Sequence, residues 1–381
     1  MKFAHLLLIS PNANSNKFYI MKEQAGDTFT VEFGRVGVSP QKALYSMRQW
    51  NSKYNEKVKK GYKDVTELMS EVKSNDAKLT DNESINSLLM KLLNASKSAF
   101  SNTYRVSASS ITQMQVDAVQ EVINKIVDVA KIETEAGLTH SLFVELWHIL
   151  PRSMSNVRDY LPKNMEQVKK QLEFEQDSID NANVQRAFTS IDSESSDLLQ
   201  NLGVEISPKL IIIPDDLKEF LGSKITQVNG IYRLSKPDLN VRFEQFVQNA
   251  SDKTVAMRYH GTKWKNGMAI LSTGLRILGS KSQTYSGSFV GDGIYTSRTF
   301  EKSRNYSDGI MFIINTHVGK TFDIKDPKYL DKYDFDKVTK LGYHSVNIEP
   351  GINTGWGILQ RHEQIIYNEA QHSFVYLLDV K

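Results

Sequence analysis

The hydrophobic period of this chain changes twice, and each change is read as a domain boundary. Over residues 1–73 apolar residues fall in short strand-like runs; from about 84 to 190 they recur at three and four residues; beyond 205 they return to short β-type runs separated by glycine-bearing turns. At 381 residues the chain also exceeds the roughly 250–300 at which a single core stops growing. A multidomain α+β protein is predicted. Its expected parts are a small β-sheet plus helix over 1–73, an all-α helical bundle over 84–190 and a β-rich domain with a few helices over 205–381.

In the first segment Ala4 to Ser10 and Lys17 to Lys22 read as a hairpin joined through the turn residues Pro11 to Asn16. Thr28 to Phe33 alternates Phe29, Val31 and Phe33 with polar residues, the period of a half-buried strand. Gln41 to Lys60 reads as one amphipathic helix, with Ala43, Leu44, Met47, Trp50 and Tyr54 on its buried stripe and Gly61 ending it. The polar stretches 74–83 and 190–197 read as linkers. Between them Val119, Val122, Ile123, Ile126, Val127 and Ala130 mark a long helix with one buried face.

The longest apolar runs, Leu6 to Ile9 and Leu210 to Ile213, are short enough to be buried strands, so no helix is expected to span a membrane. Phe3 to Ile9 has no small-residue cleavage site behind it and is read as a first strand, not a secretion signal. The chain contains no cysteine, which excludes disulfides, a thiolate nucleophile and cysteine-based zinc sites, and an intracellular location is expected, cytoplasmic or nuclear/nucleoid. Net charge is only +3, yet residues 1–72 carry eleven Lys and Arg against seven Asp and Glu, so the remainder is slightly acidic. That surplus favours a polyanion partner for the first segment.

Four motifs carry the chemistry. Arg258-Tyr259-His260-Gly261-Thr262 ends a strand; Ser286-Gly287-Ser288-Phe289-Val290-Gly291-Asp292-Gly293-Ile294-Tyr295 leads from a glycine-rich turn into another; Glu301 to Tyr306 forms a short helix; Arg361-His362-Glu363-Gln364 opens a late strand. Each alone is weak. In this order, from about Ile231 to residue 381, they resemble the catalytic domain of the poly(ADP-ribose) polymerases, diphtheria-toxin-like ADP-ribosyltransferases with a His-Tyr-Glu triad. Glu32-Phe33-Gly34-Arg35-Val36-Gly37, followed by the helix ending in Lys60-Gly61, resembles the DNA-sensing WGR domain, with Phe33 in place of the motif tryptophan. The segment 84–190, with Gln115 to Ile126 and Leu146 to Pro151, is similar to the family's autoinhibitory helical domain.

The resemblance implies NAD⁺ as substrate and no metal. It assigns Glu363, His260 and Tyr295 to catalysis, and His260, Gly261, Tyr295, Lys302, Ser303 and Tyr306 to NAD⁺ binding. It assigns Phe33, Gly34 and Arg35 to DNA binding, with docking on the helices as the alternative for Arg35. Chemically this is coherent: nicotinamide is already a good leaving group, so breaking its glycosidic bond needs a held, strained pose and a carboxylate against developing positive charge. The implied partners are DNA strand breaks and protein acceptors including the chain itself, with no membrane. A glutamate in the third triad position is the family's mark of polymer formation. Mono-ADP-ribosylation, NAD⁺ glycohydrolysis and, in another class, a catalytically silent DNA-end-binding module are the alternatives. If the helical segment inhibits, a chain beginning near residue 200 is expected to be active without DNA.

Overall fold

The computed structural model describes residues 2–68, 80, 82–104, 111–132, 135–189, 198–277, 290–353 and 358–381, with backbone alone at 99–103, 131 and 185–189. The glycine-rich turn 286–289, the linker 190–197 and most of the linker 74–83 lie outside the described residues. The chain forms two compact units, Met1–Ser74 with Lys97–Arg186, and Asn75–Ser96 with Ala187–Lys381.

The first unit begins with β1 (Phe3–Ser10), β2 (Ser15–Gln24), β3 (Thr28–Arg35), β4 (Gln41–Ser46), α1 (Trp50–Lys59) and β5 (Lys63–Asp64), and the strands form one sheet in the order β4-β3-β2-β1-β5. The β2–β3 turn uses Gly26 and Asp27, both at positive φ, the backbone region where glycine is at no disadvantage. Alternate residues Leu6, Tyr19, Met21, Phe29 and Val31 face Trp50 of α1 to make the core, with the Phe29 and Trp50 rings 5.0 Å apart.

The expected helix over 41–60 is half wrong. Its first six residues are strand β4, paired from Phe33↔Gln41 to Thr28↔Ser46, and Leu44 is 64% exposed, not buried. Lys42, Leu44 and Ser46 alternate with Ala43 and Tyr45, so the stretch satisfies both periods. The open edge of β3 decides for the strand, and Tyr45 packs on Phe29.

Four helices follow: α2 (Glu83–Thr103), α3 (Gln113–Ile132), α4 (His140–Ile149) and α5 (Met165–Thr189). Val119, Val122 and Ile126 of α3 pack with Phe143 and Trp147 of α4 and with Val168 and Leu172 of α5. Inside this apolar cluster sits one carboxylate, Glu175. It accepts hydrogen bonds from Trp147, Gln171 and Tyr104 and pairs with the buried Arg152 at 3.0 Å, so its charge is compensated.

The second unit adds α6 (Leu198–Leu202), β6 (Glu205–Ile206), α7 (Asp215–Leu221), β7 (Val228–Ser235), α8 (Pro237–Asn249), β8 (Val255–Thr262), α9 (Trp264–Thr273), β9 (Ile294–Thr296), α10 (Phe300–Arg304), β10 (Ile310–His317), β11 (Thr321–Ile324), α11 (Phe335–Lys340), β12 (Ser345–Ile348), β13 (Glu363–Ile366) and β14 (His372–Val380). They build two sheets, β6-β7-β14-β10-β8 and β11-β12-β13-β9. The first half of α2 belongs to this unit: Leu92 fills the space beside Gly267, where an added Cβ would stand 2.4 Å from it, and Lys91 pairs with Asp379 at 2.6 Å.

Leu210 to Ile213, expected as a buried strand, is a loop with Ile211 97% and Ile212 83% exposed. Leu210 and Ile213 pack into the core, and Pro208 and Pro214 bracket the run. Proline withholds the backbone donor that a ladder needs, so β-branched composition alone does not make this a strand.

Candidate active site

β8 and β13 supply the central residues. Along β8, Tyr259 points into the core against Phe220 and Phe300, so the alternation of a strand sends His260 to the opposite face. His260 Nδ1 lies 3.0 Å from the Tyr295 carbonyl. A carbonyl only accepts, so Nδ1 carries the proton and Nε2 remains an acceptor. Burial pushes the imidazole below its usual pKa, against the opposing effect of that hydrogen bond, which keeps it neutral near pH 7.

Gly261 is fixed by a close backbone crossing. A Cβ there would stand 1.7 Å from the Ser303 carbonyl oxygen, so only glycine lets α10 lie against β8. Ser303 donates its hydroxyl to the Tyr259 carbonyl at 3.0 Å. Tyr259 also exchanges both backbone hydrogen bonds with Ser297 across the outer edge of β8. Two residues on, the period of the strand turns the Gly261 N–H and C=O to that same edge, a donor and an acceptor side by side.

Glu363 opens β13 and is 3% exposed. One carboxylate oxygen forms an ion pair with Lys302 of α10, and the other, Oε2, is buried without a hydrogen-bond partner among the described residues. Burial raises its pKa, with Lys302 pulling the other way. An acceptor left bare in the interior costs free energy unless a ligand donates to it, and a hydroxyl matches that need. The Lys302 ammonium also stands 5.3 Å from the ring centroid of Tyr306, which is 41% exposed.

Tyr295 lies in β9, opposite Ile365 of β13. Its hydroxyl donates to the Gly291 carbonyl at 2.9 Å and accepts from the Val290 N–H at 3.2 Å, while its ring packs on the core beneath the second sheet. Thus His260 and Tyr295, Gly261 and Ser303, and Lys302 with Glu363 and Tyr306 meet as three directly contacting groups within one unit. The Lys302 to Glu363 pairing was not legible from spacing, since 61 residues separate the partners.

Phe33, Gly34 and Arg35 end β3 in the other unit. The Phe33 ring lies 6.0 Å from that of Tyr19. Arg35 is directed at the helical segment: its guanidinium donates to the Asn14 carbonyl and side chain and to the carbonyls of Met154 and Ser155, at 2.6–3.1 Å. Asn16 donates to the Arg152 carbonyl beside it, and a Cβ at Gly37 would fall 2.3 Å from the Ser153 hydroxyl. Five hydrogen bonds thus hold the Arg35 guanidinium against Asn14 and the 154–155 backbone.

Two family models match the chain. The poly(ADP-ribose) polymerase catalytic domain matches residues 221–381, and the WGR domain matches residues 3–68. Uncharacterized protein 101L of Invertebrate iridescent virus 6 is 32% identical over 179 residues, covering 47% of this chain and 75% of the viral one. The putative poly(ADP-ribose) polymerase-like 100L of the same virus is 29% identical over 190 residues, 48% of this chain and 99% of that protein. Poly(ADP-ribose) polymerase 2 of Arabidopsis thaliana is 27% identical over 185 residues, 41% of this chain and 28% of the plant protein. The catalytic fold is therefore that of an NAD⁺-using ADP-ribosyltransferase. The chain belongs to the poly(ADP-ribose) polymerase family, with a WGR domain ahead of the catalytic domain. Among the described residues no helix is long and apolar enough to cross a membrane.

Proposed function

We propose that the protein transfers ADP-ribose from NAD⁺ to protein acceptors, itself included, that it extends the product into poly(ADP-ribose), and that broken DNA at the WGR domain raises its turnover. The observation that carries the chemistry is the bare, buried Oε2 of Glu363 next to a Lys302-bound Oε1. In this reading Oε2 accepts the hydrogen of the nicotinamide-ribose 2′-hydroxyl, and the carboxylate offsets positive charge as the C1′–N bond lengthens. The Gly261 N–H and C=O take the carboxamide, with Ser303 beside them, and Tyr295 and Tyr306 flank the nicotinamide ring. His260 Nε2 accepts from an adenosine-ribose hydroxyl. Nicotinamide leaves with the bonding pair, the acceptor oxygen bonds to C1′, and Glu363 is placed to receive the acceptor's proton.

Regulation follows from the helical segment, which in this reading lowers the fraction of competent molecules until DNA ends favour an open state. Phe33 and Gly34 would face the DNA, and Arg35 would relay its binding, a role supported by its hydrogen bonds to Met154 and Ser155. The test is nicotinamide release from NAD⁺ by the purified chain, with protein-linked label followed in step, with and without blunt DNA ends. Release with labelled protein rising on DNA addition is expected. Release without protein label would make it a glycohydrolase, a single discrete product size at saturating NAD⁺ a mono-transferase, and DNA binding without release a silent sensor.

A further inference from the structure

Behind Glu363, on the reverse face of its strand, a buried polar residue, Gln364, sits beside the buried Ile366. We propose that Arg258 and Gln364 form a positioning strut that fixes the spacing between the His260 strand and the Glu363 strand; this rests on the reading of Glu363 as the carboxylate that acts on NAD⁺.

Strand alternation sets the geometry. Arg258 and His260 project from the same face of β8, two residues apart, whereas Gln364 projects from β13 opposite to Glu363. His260 reaches the Tyr295 backbone, and alongside it the Arg258 guanidinium donates to Gln364 Oε1 at 3.0 Å. Tyr295 and Gln364 lie on the paired strands β9 and β13, so the two bonds tie β8 to both. Gln364 is held from every other side as well. Its amide donates to the Ser345 hydroxyl at 3.0 Å, Ser345 donates to the Val318 carbonyl at 2.6 Å, and Thr296 donates to the Gln364 carbonyl at 2.9 Å.

A charge in this place is costly. Among the described residues Arg258 Nε is buried with no partner, and burial, with Arg298 nearby, pushes the guanidinium down to about 10. An apolar side chain avoids that cost, so the charge is kept for its fork, which bonds the Met257 carbonyl and Gln364 together. Placement, not field, is its route to the reaction, because the acidity of Glu363 is governed by its burial and by Lys302. A carboxylate whose strand drifts by about an ångström loses alignment with the sugar, and such a drift costs up to about 10²-fold in rate.

The experiment compares the full chain with Arg258→Leu, Gln364→Leu and the double variant, reading nicotinamide release, melting temperature and amide hydrogen exchange over residues 363–366. Each folded single variant should lose about tenfold or more in kcat, with KM for NAD⁺ within about threefold, and exchange at 363–366 should quicken. The double variant should be no slower than the worse single one, as for two halves of one contact. Gln364→Glu, which keeps an acceptor for Arg258, should retain more kcat than Gln364→Leu, and this comparison stands if Arg258→Leu does not fold. A folded Arg258→Leu with native kcat and native exchange would overturn the strut, as would losses that add in the double variant. If the unaltered chain releases no nicotinamide, the functional reading fails instead, and the exchange comparison alone decides the strut.

Discussion

Arg35→Ala separates a docking arginine from a phosphate ligand. Of the five hydrogen bonds the side chain makes, three involve acceptors open to water, which re-solvate when the guanidinium is removed. The two to Met154 are partly buried, and at about 1 kcal/mol each the expected loss is ~2 kcal/mol. In a unit of roughly 150–250 residues that corresponds to a fall in melting temperature of about 4–8 °C. The assay pairs a thermal scan of the full chain with DNA-end binding by anisotropy at several salt concentrations. A docking residue contributes no released counterion, so the slope of log K against log salt should stay the same in Arg35→Ala. A phosphate ligand would flatten the slope by about 0.9. An unchanged melting temperature together with a slope flattened by that amount would refute the docking assignment.

Lys302→Met removes the charge that holds Glu363 down. Activity needs the carboxylate ionised and is lost as pH falls through its pKa, so the acidic limb of kcat/KM should move to higher pH in the variant; an unmoved limb would count against the pairing. Gly261→Ala places a Cβ against the Ser303 carbonyl, a backbone atom that cannot swing aside, so β8 or α10 must shift. NAD⁺ turnover should drop about 10²-fold, and native turnover would show that the close approach is dispensable. A chain beginning near residue 200 lacks the Leu92 and Lys91 contacts of the catalytic unit. It should melt below a version that keeps 80–96 joined to it by a flexible linker, and equal melting would show that this half-helix is not part of the unit.

Much of the fold was legible because period and punctuation agree there. The β1–β2 hairpin, α3 and the strands around His260, Tyr295 and Glu363 each have one periodicity and clear turn residues. Gln41 to Ser46 misled because Ala43, Leu44 and Met47 suit a helix while Tyr45 and Ala43 suit a strand, and only the unpaired edge of β3, a non-local fact, decides. Leu210 to Ile213 misled through composition, which prolines on both sides overrule. At the candidate site, the ordered motifs singled out His260, Gly261, Ser303 and Glu363, but not what holds them. The Lys302 ion pair, the Ser303 carbonyl against Gly261 and the Arg258 to Gln364 bond join residues 42 to 106 apart in sequence, where spacing carries no signal.

The central claim is that Glu363 acts on the transition state of nicotinamide release. Its most direct test is single-turnover nicotinamide release by Glu363→Gln beside an independent titration of NAD⁺ binding, with protein-linked ADP-ribose measured in the same samples. Glutamine keeps the size and an acceptor oxygen but not the charge. Binding should change by less than about threefold while release and protein labelling fall together by 10²-fold or more. Native release by Glu363→Gln would contradict the account, and so would a loss of release fully explained by lost binding.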